Sequence, residues 1–136
     1  MKKRPKVGIA VAIVKNNQVL LGKRLGKHGP GTWAYPGGHL EFMESWEECA
    51  RRETKEETSL EIKNVRFGVV TNELHYQENE HYITIGMIAD YAGGEPQTLE
   101  SNKCEEWCWF SWDNLPQPLF LPIVNQLKLG FNPCSL

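Results

Sequence analysis

Apolar residues first concentrate between Val7 and Val14, a run rich in β-branched side chains that predicts a buried strand. Asn16-Asn17 is a turn signal, and Val19 to Lys23 reads as the returning strand of a hairpin. Gly26 to Gly31 is a loop by composition. Trp33 to Tyr35 gives a short extended piece, which Pro36-Gly37-Gly38 breaks. From Ser45 to about Thr58 the pattern is helical and free of Pro and Gly. Ser45 at the N-cap with Glu48 three residues on forms a capping box, and Glu48 and Arg52 make an i,i+4 pair in the favourable order. Val65 to Leu74 and Tyr82 to Ala89 read as strands on either side of the polar turn Gln77 to Glu80. A longer loop opens at Gly93-Gly94-Glu95-Pro96 and runs through Lys103. Trp107 to Trp112 alternates aromatic and polar residues and predicts a strand. Leu119 to Leu129 predicts a last helix, with Pro122 in its first turn and Gly130 as its stop. Strands on both sides of a central helix, with a second helix at the end, predict an α/β (α+β) fold in which a mixed sheet lies between helices.

Composition narrows the class. The 136 residues suit one domain over 1–136, with no internal repeat or dividing linker. Hydrophobic residues at 40% and charged residues at 24% are ordinary globular values, so disorder of the whole chain is excluded. The net charge of −2 argues against a nucleic-acid polymer as partner; the basic start Lys2, Lys3, Arg4 and Lys6 reads as a solvated tail. No apolar run reaches the roughly 18 residues that span a membrane, and the first residues lack a secretory pattern, so a cytoplasmic protein is expected. Cys49, Cys104, Cys108 and Cys134 form no C-x-x-C pair, which argues against structural zinc and for reduced thiols, with Cys49 in the core.

The chemistry lies in Trp46 to Leu60. At 3.6 residues per turn, Trp46, Cys49, Ala50, Glu53 and Glu57 share one stripe, with Glu56 at its edge. Trp46, Cys49 and Ala50 mark that stripe as the packing face. A solvated face with ion pairs accounts for Glu47, Glu48, Arg51 and Lys55 but not for carboxylates on an apolar stripe. Two carboxylates about 4 Å apart repel by roughly 4 kcal/mol at an effective dielectric near 20, so the cluster calls for a cation. Hard oxygen ligands suit Mg²⁺, with Mn²⁺ as a substitute, and Mg²⁺ commonly shares its ligands with substrate phosphates.

These residues carry a resemblance. Gly38, Glu44, Arg52-Glu53, Glu56-Glu57 and Leu60 match the box G-x5-E-x7-R-E-U-x-E-E-x-G-U (U, bulky apolar) of the Nudix hydrolase family at every charged position. Thr54 stands where the box has an apolar residue, and Ser59 where it has its second glycine. Pro36 to Phe42, Trp46 to Ala50 and Lys103 through Trp109 look like the MutT-type nucleotide-sanitising branch, similar to its human MutT-homologue-two and plant cytosolic types.

The resemblance implies an α/β/α Nudix fold and a Mg²⁺-dependent enzyme that converts a nucleoside triphosphate, an oxidised one such as 8-oxo-dGTP among them, to a monophosphate and pyrophosphate. It implies Glu53, Glu56 and Glu57 as metal ligands together with the Gly38 carbonyl and an acid of the late loop. Glu105 is the first choice for that acid, with Glu106 and Glu100 in reserve. Glu53 is the expected general base, Arg52 its orienting neighbour, and Glu44 a support from the loop. Lys27, His28, Thr32, Trp33, Tyr35, His39 and Trp107 are the expected substrate contacts, whereas His75 and His81 are expected at the surface. Similar proteins are homodimers, which makes a dimer the expectation. Two alternatives stay open: hydrolysis of an isoprenoid diphosphate such as geranyl diphosphate, and a ligand-binding module without catalysis.

Overall fold

A computed structural model of the chain describes residues 2–26 and 29–135; Lys27 and His28, read above as substrate contacts, lie outside the described residues. In chain order the elements are β1 (Lys6–Lys15), β2 (Gln18–Arg24), β3 (Trp33–Ala34), β4 (Gly37–His39), α1 (Trp46–Thr58), β5 (Glu61–His75), β6 (Glu80–Gly93), β7 (Cys104–Ser111) and α2 (Leu121–Lys128), followed by a 3₁₀ turn, Pro133–Ser135. The strands form one mixed seven-stranded sheet. β1 lies parallel to β6, and every other pairing is antiparallel.

The alternation along β1 sets the two layers. Its odd positions Ile9, Val11 and Ile13 join Ile85, Met87 and Ala89 of β6 in a core that Cys49, Ala50 and Leu60 cover from the side of α1. Its even position Ala12 joins Val19, Leu21, Tyr35, Leu119 and Ile123 in a second core, on the side of α2. The sheet is therefore clothed on both faces, which is the sandwich that the order of elements predicts. Among the described residues, no helix is long and apolar enough to cross a membrane.

One departure from the predicted pattern shapes the molecule. β1 and β2 pair only at their turn, through Val14–Val19 and Lys15–Gln18. They then part. β2 takes β3 as its neighbour at Gly22 and Lys23, and β1 takes β4 at Gly8 to Ala10. The segment Trp33 to His39 fills the gap, anchored by the Val11 amide donating to the Pro36 carbonyl at 2.9 Å. The extended piece ends before Pro36, as predicted, and Gly37-Gly38 then opens a new strand. Gly37 approaches β1 so closely that a Cβ there would fall on the Ile9 carbonyl, so the position takes glycine for want of space.

Helix α1 begins as its sequence predicts. The Ser45 hydroxyl accepts from the Glu48 amide at 3.1 Å and Glu48 accepts from the Ser45 amide at 3.4 Å. Trp46 corrects the expected packing face: it is 40% exposed and rests against Phe67 of β5, because as the first residue of the helix it lies beyond the covered part of the sheet. At the other end Ser59 has φ 68°, a left-handed conformation, and its amide donates to the Lys55 carbonyl at 3.1 Å. A serine there carries a steric cost that glycine does not. Ser59→Gly is expected to stabilise the protein by about 0.5–1 kcal/mol, read as a higher midpoint in urea at unchanged slope.

Candidate active site

Two adjoining cavities open at the place where β1 and β2 part. One, of about 160 Å³, is lined among others by Tyr35, His39, Tyr82, Thr84, Phe120 and Ile123. The other, of about 310 Å³, is lined among others by Glu57, Glu100, Lys103 and Trp107. Arg24, Ala34, Tyr35, Gly37, His39 and Tyr82 belong to both, so the two form one cleft with an aromatic end and a charged end.

The charged end is built on α1. Glu53 is 8% and Glu57 7% exposed, as the stripe of Cys49 and Ala50 predicts for its continuation. The Glu57 carboxylate accepts from the Gly37 amide at 3.3 Å. Burial pushes the Glu57 carboxyl up from 4.5 to about 8, against the Gly37 hydrogen bond and with the charge of Glu53 adding to the rise. Burial likewise raises Glu53, opposed by Arg52. A Cβ on Gly38 would fall on the Glu53 carboxylate, so only glycine lets the backbone pass this close to the acid.

Arg52 fixes the frame. Its Nε and Nη2 bind both oxygens of Glu44 at 2.7 and 2.9 Å, and its Nη1 donates to Glu53 at 2.7 Å. Glu56 stands 3.5 Å from the same Nη1 and Glu41 3.5 Å from Nη2. Hydrogen bonding to Arg52 holds the Glu44 carboxyl far below its ordinary value, at about 2, and the same pair raises Arg52. Glu56 is drawn to this guanidinium on the open side of the helix, with its side chain 53% exposed, and the structure does not bring it beside Glu57. Among the described residues, no three acid, His or Cys side chains converge closely enough to enclose an ion by themselves.

The late loop supplies a different acid from the one the sequence favours. The Gln97 and Leu99 amides donate to the Thr58 and Glu57 carbonyls, which lays the loop along the end of α1. Glu100 thereby reaches the charged end, where its charge adds to the rise in Glu57. One of its oxygens is 3.2 Å from Lys103 and the other is buried with no hydrogen-bond partner. Glu105 and Glu106 are exposed on β7 and do not line the cleft. β7 starts at Cys104, whose side chain turns inward, so Glu105 turns outward.

Tyr35, His39 and Trp107 line the cleft as expected, although Trp107 also packs against the first core and Tyr35 belongs to the second. Thr32 and Trp33 do not line it. Thr32 donates to the Gly29 carbonyl at 2.5 Å, and Trp33 packs edge-on to Phe110. The Trp33 carbonyl accepts from the Phe120 amide at 2.9 Å, so this residue holds the wall of the cleft from behind. His81 is bonded to Asn72, and His75, expected at the surface, lines the aromatic end edge-on to Tyr82.

Sequence reasoning passed over Arg24, Tyr82, Thr84 and Phe120. The Arg24 guanidinium lies 4.1 Å from the centre of the Phe120 ring, and burial lowers its pKa while the charge of Glu57 opposes that. His39 stacks on Tyr82 and shares a 3.1 Å hydrogen bond with its hydroxyl. A planar group thus finds aromatic walls at one end, and an anion finds Arg24 and Lys103 near the acids at the other.

The raised Glu57 carboxyl has a consequence for stability. A raised acid favours the protonated fold, so its contribution is present at low pH and is lost as pH climbs through about 8. Without divalent ions, Glu57→Gln is expected to raise the melting temperature by several degrees at about pH 9 and to leave it nearly unchanged at about pH 5. Equal effects at both values would show that Glu57 carries no burial penalty.

The NUDIX domain family model matches residues 2–127. An ADP-ribose pyrophosphatase of Methanocaldococcus jannaschii is 36% identical over 116 residues, 85% of this chain and 68% of that protein. An NAD-capped RNA hydrolase NudC of Chromobacterium violaceum is 30% identical over 90% of this chain, which spans only 45% of that relative. Among solved structures, a MutT NUDIX hydrolase from Burkholderia pseudomallei superposes with a TM-score of 0.85 at 30% identity, covering 94% of this chain and 98% of the other. With the acids of α1 gathered at the cleft and the domain matched over nearly the whole sequence, the chain belongs to the Nudix hydrolase family.

Proposed function

We propose that the protein is a Mg²⁺-dependent hydrolase of nucleoside triphosphates, oxidised ones such as 8-oxo-dGTP included, that releases a nucleoside monophosphate and pyrophosphate. The observation that carries this reading is the single cleft in which the buried Glu57, with Glu53 beneath Gly38, faces Arg24 at the foot of an aromatic slot. Buried carboxylates raised by desolvation and an unpartnered Glu100 oxygen are hard oxygen donors of the kind a divalent cation takes, and they support this reading. Glu57, Glu53, Glu100 and the Gly38 carbonyl would hold it, with Glu56 joining from the edge. When bound, the ion acidifies water and neutralises phosphoryl charge.

The chain's own residues supply the rest. The water oxygen bonds to phosphorus in line with the bridging oxygen, whose bond to phosphorus breaks, and pyrophosphate leaves with the electron pair. Glu53, fixed by Arg52, takes the proton of the attacking water. Arg24 and Lys103 face the charge on the phosphate chain, and Tyr82 with Phe120 holds the base between rings. A second reading, hydrolysis of ADP-ribose or a similar nucleoside diphosphate sugar, draws on the archaeal relative named for that activity.

The test follows pyrophosphate or phosphate release from dGTP, 8-oxo-dGTP, dCTP, dUTP and geranyl diphosphate, and AMP release from ADP-ribose. Mg²⁺-dependent turnover of a nucleoside triphosphate that Glu57→Gln lowers by at least about a hundredfold is the expected outcome. Turnover of ADP-ribose alone would move the substrate to nucleoside diphosphate sugars, and turnover of geranyl diphosphate alone to isoprenoid diphosphates. No turnover with ligand binding retained would mark a binding module. Glu100→Gln is expected to weaken Mg²⁺ activation about tenfold or more, whereas Glu105→Gln leaves it within about twofold. The reverse order would return the late-loop role to Glu105.

A further inference from the structure

Behind the aromatic end lies an acid that the hydrolytic chemistry does not use. Glu73 of β5 is 0% exposed. Its Oε1 accepts from the Thr84 hydroxyl at 2.5 Å and its Oε2 from the Asn125 side-chain amide at 2.9 Å. No cation pairs with it among the ion pairs of the described residues. Its two partners come from β6 and α2, so the carboxylate ties the sheet to the helix that closes the slot. Thr84 itself lines the slot, beside Tyr82 and Ile123.

The chemistry of this contact is directional. A carboxylate only accepts hydrogen bonds, and a hydroxyl has one hydrogen and two lone pairs. With its hydrogen committed to Glu73, Thr84 has only lone pairs to offer a ligand. Phe120, Pro122 and Ile123 contribute apolar walls, and the donors of the cavity belong to other residues such as Tyr35 and Tyr82, so an acceptor on a ring finds no donor at Thr84 itself.

We propose that Glu73 makes Thr84 a fixed acceptor in the slot, so that the site selects heterocycles presenting an N–H donor there. The ligand class is a nucleotide whose base carries ring N–H or amino groups on its six-membered ring. Glu73 is a positioning residue and Thr84 the group that reads the ring. The inference rests on the nucleotide reading of the cleft and deepens it.

The test compares guanosine monophosphate with purine riboside monophosphate, whose six-membered ring has acceptors only. Dissociation constants are measured by calorimetry for the wild type, Thr84→Val, Thr84→Ser and Glu73→Gln. Wild type is expected to favour the guanine nucleotide by about tenfold or more, and Thr84→Val to lose that preference. Thr84→Ser keeps the hydroxyl and should keep the preference. In Glu73→Gln, Asn125 still donates to the amide oxygen, which turns the amide nitrogen towards Thr84 and frees the Thr84 hydrogen for the slot. The preference is then expected to vanish or invert while the hydroxyl remains in place. Equal binding of the two nucleotides by wild type, or a preference that survives in Thr84→Val or Glu73→Gln, would overturn the inference and leave Mg²⁺-dependent turnover, followed in parallel, untouched. If no nucleotide is bound or turned over, the proposed function falls and this inference with it.

Discussion

One guanidinium holds the charged end of the cleft together. Without Arg52, the carboxylates of Glu44, Glu53 and Glu56 would crowd one turn of α1 and the loop before it, and their repulsion would push helix and loop apart. The fork to Glu44 fixes the loop to the helix through two short charge-assisted bonds, and the remaining nitrogen steers Glu53 under Gly38. Lysine could not do this, because a single ammonium cannot meet both oxygens of Glu44 and still aim a donor at Glu53. Glu57, one turn further on, has no such partner. It takes a backbone amide and carries a burial penalty.

The cleft itself comes from a failure of pairing. Two strands joined by a tight turn ordinarily run together along their length, yet β1 and β2 separate after two residue pairs and admit Trp33 to His39 between them. The inserted segment brings Tyr35 into the second core and Gly37-Gly38 to the acids, so one short stretch serves both ends of the cleft. The two faces of the sheet then divide the labour. The side of α1 carries Glu53 and Glu57, and the side of α2 carries the aromatic slot with Thr84 and its buried carboxylate.

What was legible in the sequence was local. The capping box, the stripe of Cys49, Ala50, Glu53 and Glu57 and the β-branched run of β1 each depend on residues within a turn or two, and each appears in the structure. Gly37-Gly38 read as a break because glycine has no side chain to display a strand's alternation. The resemblance points to Glu105 as the late-loop acid, but β7 starts at Cys104, three residues before the predicted Trp107, which turns the Glu105 side chain outward and leaves Glu100 at the charged end with Glu57. Arg24, Tyr82, Thr84 and Phe120 carry no local signal at all, since they meet only through pairings between distant parts of the chain.

That distance bears on when the protein acquires its cleft. The sheet closes through the parallel pairing of β1 with β6, which sets Lys6 beside Tyr82 and Val14 beside Asp90. Such contacts form late, because a long loop of chain must be ordered before they stabilise anything. Glu73, Thr84 and Asn125 complete the slot only once α2 has docked. A chain emerging from the ribosome can thus form α1, with its acids in order on one face, well before it has a slot to hold a base. The residues of the cleft are thereby brought together only in the finished fold, by topology alone.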